Sequence, residues 1–351
     1  MLKATIKKHN LIFKRASGTS RGILRQKETW FIILEQMGRV GIGECGMFRG
    51  LSMDDLPTFE TKLKWTCENI GLGEAILLEE LKNFPSIQTG LETAFRSLAA
   101  EDPFQIFPSE FSQGNASIPI NGLVWMGDEK FMREQISEKI ASGFSCIKMK
   151  IGAIEFDKEL RLIREVRKRF SASEVEIRVD ANGAFSPSEA LEKLKRLSDL
   201  QLHSIEQPIK QGQWQEMASL CEKSPLAIAL DEELIGLVDT EDRQKLMETI
   251  RPQYIILKPT LVGGFSGSDN WISISSKFDC GWWITSALES NVGLNAISQF
   301  TFTKNSKLPQ GLGTGGLFTN NIPSPLGVKE GELYYSREGS WNLDEIMNIK
   351  E

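Results

Sequence analysis

Residues 146–152 read CIKMKIG, a short apolar run broken by two lysines. Side chains alternate faces along a strand, so Lys148 and Lys150 point one way while Ile147, Met149 and Ile151 point the other. Taken alone, such a KxK run is most simply the wet face of a half-buried strand. The alternative is that two ammonium groups are aimed at one spot because they act there. That reading needs partners elsewhere in the chain.

The runs that repeat this pattern are SIPING, CIKMKIG, VEIRVDANG, LHSIEQPI, LAIALDE, YIILKPT, WWITSALES and PQGLGT, all after residue 116. Helical stretches separate them. In EFDKELRLIREVRKRF, Phe156, Leu160, Ile163, Val166 and Phe170 recur at helical spacing. Strands alternating with helices mark βα units and a parallel sheet, and a count of eight favours a closed barrel. The expected fold is α/β, a modified (β/α)8 TIM-type barrel of (β/α)7β form with an N-terminal α+β capping domain. The cap comes from β-like runs in KATIKKHNLIF, WFIILEQ and VGIGECG, followed by helical stretches near 54–70, 74–83 and 89–101. The expected division is 1–115 for the cap, 116–318 for the barrel and 319–351 for a segment returning to the cap.

Composition narrows the chemistry. The 351 residues carry a net charge of −6 with no basic block, which argues against a nucleic-acid partner. No stretch approaches 18 uncharged apolar residues and no apolar leader opens the chain, so no membrane partner is expected and the location reads as cytoplasmic. Five scattered cysteines form no CxxC pair and read as reduced core residues. The two histidines, His9 and His203, are too few for a His-based metal or triad site. Proton chemistry would have to run on carboxylates, lysines or tyrosines, and a metal would be a hard cation held by oxygen.

The polar residues that interrupt the apolar runs fall at or near the C-terminal ends of their strands. They are Lys148 and Lys150; Asp180 with Asn182; Glu206; Asp231 with Glu232; Lys258; and Thr285 with Ser286. Each group lies 25 to 30 residues from the next, one βα unit per group. In a barrel those strand ends ring a single mouth. Each has an ordinary reading: Asn182-Gly183 as a turn, Asp231 as a helix cap, Glu206 as a solvated strand end. None of these explains why they keep phase with the repeat.

Three converging carboxylates repel unless a cation sits among them, and Mg²⁺ suits an open carboxylate site. A lysine about 6 Å from another cation, at an effective dielectric of about 20, is disfavoured by roughly 3 kcal/mol, or about 2 pK units. The expectation is a lysine pKa moved down toward the range of a general base, serving proton abstraction next to a carboxylate.

The string KxK, DxN, E, DE, K resembles the enolase superfamily, in its muconate-lactonizing-like subgroup with two opposed lysines. IKMKIG, VDANGAF, SIEQPI, ALDEEL, ILKPTLVGG, SALESNVGL and GLGT are similar to the o-succinylbenzoate synthase family within it. GIGECGMFRGLS at 41–52 resembles that family's cap. The resemblance implies Asp180, Glu206 and Asp231 as Mg²⁺ ligands, Lys150 as general base with Lys148 beside it, and Lys258 facing them to stabilise an enediolate. It implies Asn182, Thr285, Ser286 and Gly311 around a small-molecule carboxylate substrate, the last three lining a succinyl-tail pocket. The implied reaction is a syn dehydration, with a monomer or a homo-oligomer equally open. Position 285 is Thr where the family pattern has Ser. The stretch SGTSRGILRQKETW at 17–30 is expected as a loop over the mouth, with Arg21 or Arg25 able to meet a substrate carboxylate.

Two rival readings belong beside this one. Epimerases and N-acylamino acid racemases of the same superfamily also use two opposed lysines, but dipeptide epimerases usually carry Asp-x-Asp after strand eight, where this chain has Gly311-Leu-Gly-Thr-Gly. A non-catalytic barrel should have lost a ligand or a lysine, and none is missing. Gly311–Gly316 also matches GxGxxG, but too little chain follows for a dinucleotide-binding half. Trp125 and Met126 read as core, and Trp283 is expected to face inward with Thr285 while Trp282 faces the helices.

Overall fold

The computed structural model describes residues 1–19 and 22–347. Seven parallel strands, Gly122–Val124, Cys146–Lys150, Glu176–Asp180, Ser204–Glu206, Ile228–Leu230, Tyr254–Leu257 and Gly281–Ile284, are hydrogen-bonded in sequence order. A helix follows each of them. The eighth strand is reduced to residues 310–311, which bridge both edges of the sheet. Gln310 pairs with Ile120 and Gly311 with Thr285, both parallel. The Gln310 side chain stands in for missing ladder: its Oε1 accepts from Ile284 N at 2.8 Å, and its Nε2 donates to Leu308 O at 2.6 Å. The barrel is closed, with (β/α)7β order.

The first barrel strand begins later than SIPING suggests. Ser117–Pro119 leaves the barrel and pairs with the hairpin Leu326–Lys329 and Glu332–Tyr335. Pro119 has no amide hydrogen to give a central ladder, which suits this edge position.

The cap is an antiparallel sheet of Lys3–Thr19, Gly22–Gln36 and Arg39–Cys45, with helices Phe59–Glu68, Glu74–Glu80 and Pro85–Ala99. The continuous apolar run WFIIL is explained by burial on both faces. Trp30, Ile32 and Leu34 pack with Phe59, Leu63, Leu91 and Leu98 of the cap helices. Phe31 and Ile33 pack on the other side with Val292 of the last barrel helix and with Ile322 and Ile346 near the C-terminus.

Residues 17–19 and 22–30 are not a loop. They belong to the two long strands of the cap, which form a ribbon whose register shifts between Ile12 and Ser17. A bridge from Gly18 to Met126 docks the ribbon on the barrel mouth. Arg21 lies outside the described residues, and Arg25 is exposed.

Inside the barrel, Ala229, Ile256 and Trp283 form a small apolar plug below the mouth, separate from the larger layer between strands and helices. Trp282 packs outward against that larger layer. A Cβ on Gly311 would stand 1.7 Å from Thr285 Oγ1, so only glycine closes the barrel there. Gly311→Ala is therefore expected to destabilise the fold by about 2 kcal/mol or more, as overpacking of a tight contact does. Thermal or urea unfolding measures it, and an unchanged midpoint would mean that the eighth strand does not constrain the barrel.

Candidate active site

Register places the charged side chains together. Lys150 pairs with Asp180, and Asp180 with Glu206, across three adjacent strands. Paired residues of parallel strands point to the same side of the sheet, here the barrel interior. Asp231 and Lys258 each follow the last residue of their strand by one. Strands two and six of eight lie across the barrel from each other, so Lys148 and Lys150 face Lys258 over the carboxylates.

All of these groups are buried except Lys258, whose side chain is 13% exposed. Lys148 Nζ lies 3.0 Å from Asp180 Oδ2 and also pairs with Glu206 Oε2. Lys150 Nζ donates to Asp180 Oδ2 at 2.9 Å and to Asn182 Oδ1 at 2.6 Å. Lys258 Nζ donates to Asp231 Oδ2. Burial disfavours every charge in the cluster, and the pairing decides the outcome. Burial and the neighbouring charges of Asp180 and Asp231 push Glu206 well above the usual carboxylate range. Asp180 is held low despite burial by Lys148 and Lys150, and Asp231 by Lys258 and Lys148.

The lysines depart from expectation. Burial pulls Lys148 down, but Asp180, Glu206 and Asp231 together raise it above its ordinary value. Lys258 is raised in the same way, first by Asp231 and Glu206 against burial. For Lys148 and Lys258 the expected lowering is outweighed by the carboxylates that each ammonium meets directly.

Asn182, with a left-handed φ of 43°, turns the chain just past Asp180. Its backbone N–H donates to Asp180 Oδ1 at 3.0 Å, and its Nδ2 donates to Glu232 Oε1 at 2.9 Å. The amide thus hands Lys150 an oxygen whose orientation Glu232 fixes. Gln207, which sequence reasoning passed over, has a similar role one strand on. Its Oε1 accepts from Asp231 N and Glu233 N at 3.2 and 3.3 Å, and its Nε2 donates to Glu233 Oε2 at 3.0 Å. The available signal was a glutamine fixed between Glu206 and Pro208.

A cavity of about 830 Å³ opens above the cluster, lined by Lys148, Lys150, Asp180, Asn182 and Lys258 on the chemical side. Glu206 and Asp231 lie behind the lysines. Thr285, Ser286 and Gly311 line the opposite part with Thr314, as expected. Their hydroxyl protons, however, are spent inside the protein. Thr285 Oγ1 donates to Gly311 O, Ser286 Oγ to Glu289 Oε2, and Thr314 Oγ1 to Ser286 Oγ. Lys14 and Arg15 of the ribbon line the cavity from above, and Trp125 and Leu51 add apolar wall. Lys14 and Arg15 were missed because the strand reading stopped at Phe13.

No group of three or more His, Cys, Asp or Glu side chains stands at metal-holding spacing among the described residues. The physical reason is visible: the ammonium of Lys148 sits between Asp180 and Glu206. The donor set still fits a hard divalent cation, being three buried carboxylates with no histidine. Glu206 Oε1 is buried without a hydrogen-bond partner.

Comparison with known proteins agrees with this geometry. The family model described as enolase C-terminal domain-like matches residues 131–338. The o-succinylbenzoate synthase of Desulfotalea psychrophila is 46% identical over 95% of this chain and 98% of its own. The chain belongs to the o-succinylbenzoate synthase family. A crystal structure of MenC from Desulfotalea psychrophila superposes with a TM-score of 0.85 at 43% identity, covering 95% of this chain and 99% of that one. Other relatives are more distant whatever their activity: the o-succinylbenzoate synthase of Bacillus subtilis is 24% identical over 61% of this chain and 57% of its own, and the L-Ala-D/L-Glu epimerase of the same organism 24% identical over 47% and 44%. Its substrate-liganded structure shares the fold, with a TM-score of 0.81 at 17% identity.

Asn182→Ala removes the oxygen that holds Lys150. It is expected to lower kcat for the family's reaction by about 10²-fold, the scale of a catalytic group displaced by an ångström. Steady-state kinetics measures it, and an unchanged kcat would show that Asp180 alone aims Lys150.

Proposed function

We propose that the chain catalyses the syn dehydration of 2-succinyl-6-hydroxy-2,4-cyclohexadiene-1-carboxylate to o-succinylbenzoate, a step of menaquinone biosynthesis. The observation that carries this reading is the pair of lysines on strand two facing a third on strand six over three buried carboxylates. It is joined by the near full-length similarity to an o-succinylbenzoate synthase. The division into a cap of residues 1–115, a barrel of 116–318 and a segment from 319 returning to the cap goes with this reading, with Ser117–Pro119 lent to the hairpin of that segment.

In this reading Asp180, Glu206 and Asp231 hold Mg²⁺, which supplies positive charge for the substrate carboxylate and lowers the cost of removing the adjacent proton. Lys150 takes the proton from the carbon bearing the carboxylate. The electron pair released closes the aromatic ring as the neighbouring C–O bond breaks. Lys150 then delivers the same proton to the departing hydroxyl, which leaves as water. Abstraction and departure on one face of the ring let one amine do both. Lys258, from the opposite wall, stabilises the anionic charge that builds on the carboxylate, and Lys148 sets the field around Lys150.

Proton transfer on both faces of one carbon, the chemistry of a racemase or epimerase, would use the same lysines. The stretch 311–316 is GLGTGG and carries no carboxylate to hold a dipeptide amine. Among the described residues no helix is long and apolar enough to cross a membrane.

Purified protein with Mg²⁺ should convert the cyclohexadiene carboxylate to the aromatic product, followed by ultraviolet absorbance, and EDTA should stop it. Lys150→Ala should lose turnover by about 10³-fold or more, in the range of a removed acid–base group, with Mg²⁺ binding retained. No product from the Mg²⁺-loaded protein would sink the assignment of substrate. Appreciable turnover by the Lys150 variant would remove that residue from the base role.

A further inference from the structure

The cap meets the barrel through a second buried polar cluster, distinct from the lysine–carboxylate site. Lys27, on the strand Gly22–Gln36, is 7% exposed, and its ammonium has no hydrogen-bond partner. Burial pushes its pKa down, opposed by the charges of Glu44 and Glu289. Both carboxylates are 1% exposed.

The two carboxylates are answered differently. Glu44 accepts from the backbone N–H groups of Ser290 and Gly293, each at 2.8 Å, where the helix Asn291–Thr303 begins. It accepts the Thr29 and Ser290 hydroxyls as well. A helix N-terminus is a good partner for an anion. Among the described residues Glu289 accepts only hydroxyls, from Thr260 at 2.5 Å and Ser286 at 2.6 Å. Neutral donors offset a buried charge incompletely. The buried cation facing both is Lys27, which hydrogen-bonds neither carboxylate and acts on them through charge alone, on Glu44 ahead of Glu289. Space is kept for the approach at Gly46, where a Cβ would stand 3.0 Å from Glu289 Cγ and 3.4 Å from Lys27 Nζ.

Glu289 in turn organises the cavity wall. By taking the Ser286 proton it leaves Ser286 Oγ as an acceptor, which receives Leu288 N at 3.0 Å and Thr314 Oγ1 at 2.9 Å. Ser286 and Thr314 line the cavity, whereas Lys27 and Glu289 do not.

We propose that Lys27 is a positioning residue: by offsetting the charge of Glu289 from the cap side, across the gap that Gly46 leaves, it steadies the Ser286 and Thr314 hydroxyls on the cavity wall and couples cap to pocket. It touches no ligand and acts through Glu289. The kinetic consequence rests on the reaction proposed above; the structural consequence does not.

The test is Lys27→Met, close in size and uncharged, beside the double variant Lys27→Met/Glu289→Gln, read by amide hydrogen exchange and steady-state kinetics. The single variant should raise exchange about tenfold or more in 285–290 and 311–316, with 146–152 and 30–34 unchanged, because local opening follows local contacts. In turnover, KM should rise about tenfold with kcat within about threefold, the pattern of lost ground-state binding. In the double variant, measured beside Glu289→Gln alone, Lys27→Met should add little in either readout once the charge it offsets is gone. Local exchange without turnover by the wild type would support the positioning role and sink the substrate assignment alone. Unchanged exchange, a rise spread evenly over cap and barrel, or a Lys27→Met effect as large in the Glu289→Gln background as in the wild type would overturn the proposal.

Discussion

Six opposite charges packed where little water reaches are the constraint around which this molecule is built. Asp180, Glu206 and Asp231 on one side, Lys148, Lys150 and Lys258 on the other, are nearly free of solvent contact. Such a cluster costs stability when any member is unpaired. Its geometry therefore has to be fixed by something stiffer than side chains, and parallel register does this. Lys150, Asp180 and Glu206 sit opposite one another on three adjacent strands. A slip of one residue would send a lysine or a carboxylate into the apolar layer under the helices. The plug of Ala229, Ile256 and Trp283 closes the barrel beneath.

The same logic explains why the cap cannot be read as a detachable lid. Its central strand buries both faces, one on its own helices and the other on Val292, Ile322 and Ile346. Glu44, at the end of the third cap strand, reaches across to the first amides of the last barrel helix. Helix Pro85–Ala99 also bonds the barrel, with Glu92 accepting from Phe265 N and Ser266 N. Three independent contacts of different chemistry hold the sheet. What extends beyond them is the ribbon near Lys14 and Arg15, and that part overhangs the cavity.

Much of this was legible in the sequence because strand period and repeat period are both short and both visible. Lys148, Lys150, Asp180, Glu206, Asp231 and Lys258 could be assigned to one mouth by counting. The register shift between Ile12 and Ser17 was hidden, because no pattern marks a bulge in a polar ribbon, so 17–30 read as a loop. The eighth strand appeared as a run, yet it consists of two bridged residues whose ladder is completed by the Gln310 side chain. The sign of the lysine shifts was also out of reach. It depends on which neighbours each ammonium meets in the folded chain, which residue type does not give.

The cavity wall shows how far hydroxyl-bearing residues can mislead. Thr285, Ser286 and Thr314 have the composition of a carboxylate-binding surface, but each gives its proton to a neighbour within the protein. A hydroxyl whose hydrogen is engaged offers a ligand lone pairs only. A carboxylate finds no side-chain donor on that wall, and cations face the cavity at Lys148, Lys150 and Lys258 below and at Lys14 and Arg15 above. These cations rest on two different supports: Lys148, Lys150 and Lys258 on barrel strands or one residue past their ends, and Lys14 and Arg15 on the cap ribbon.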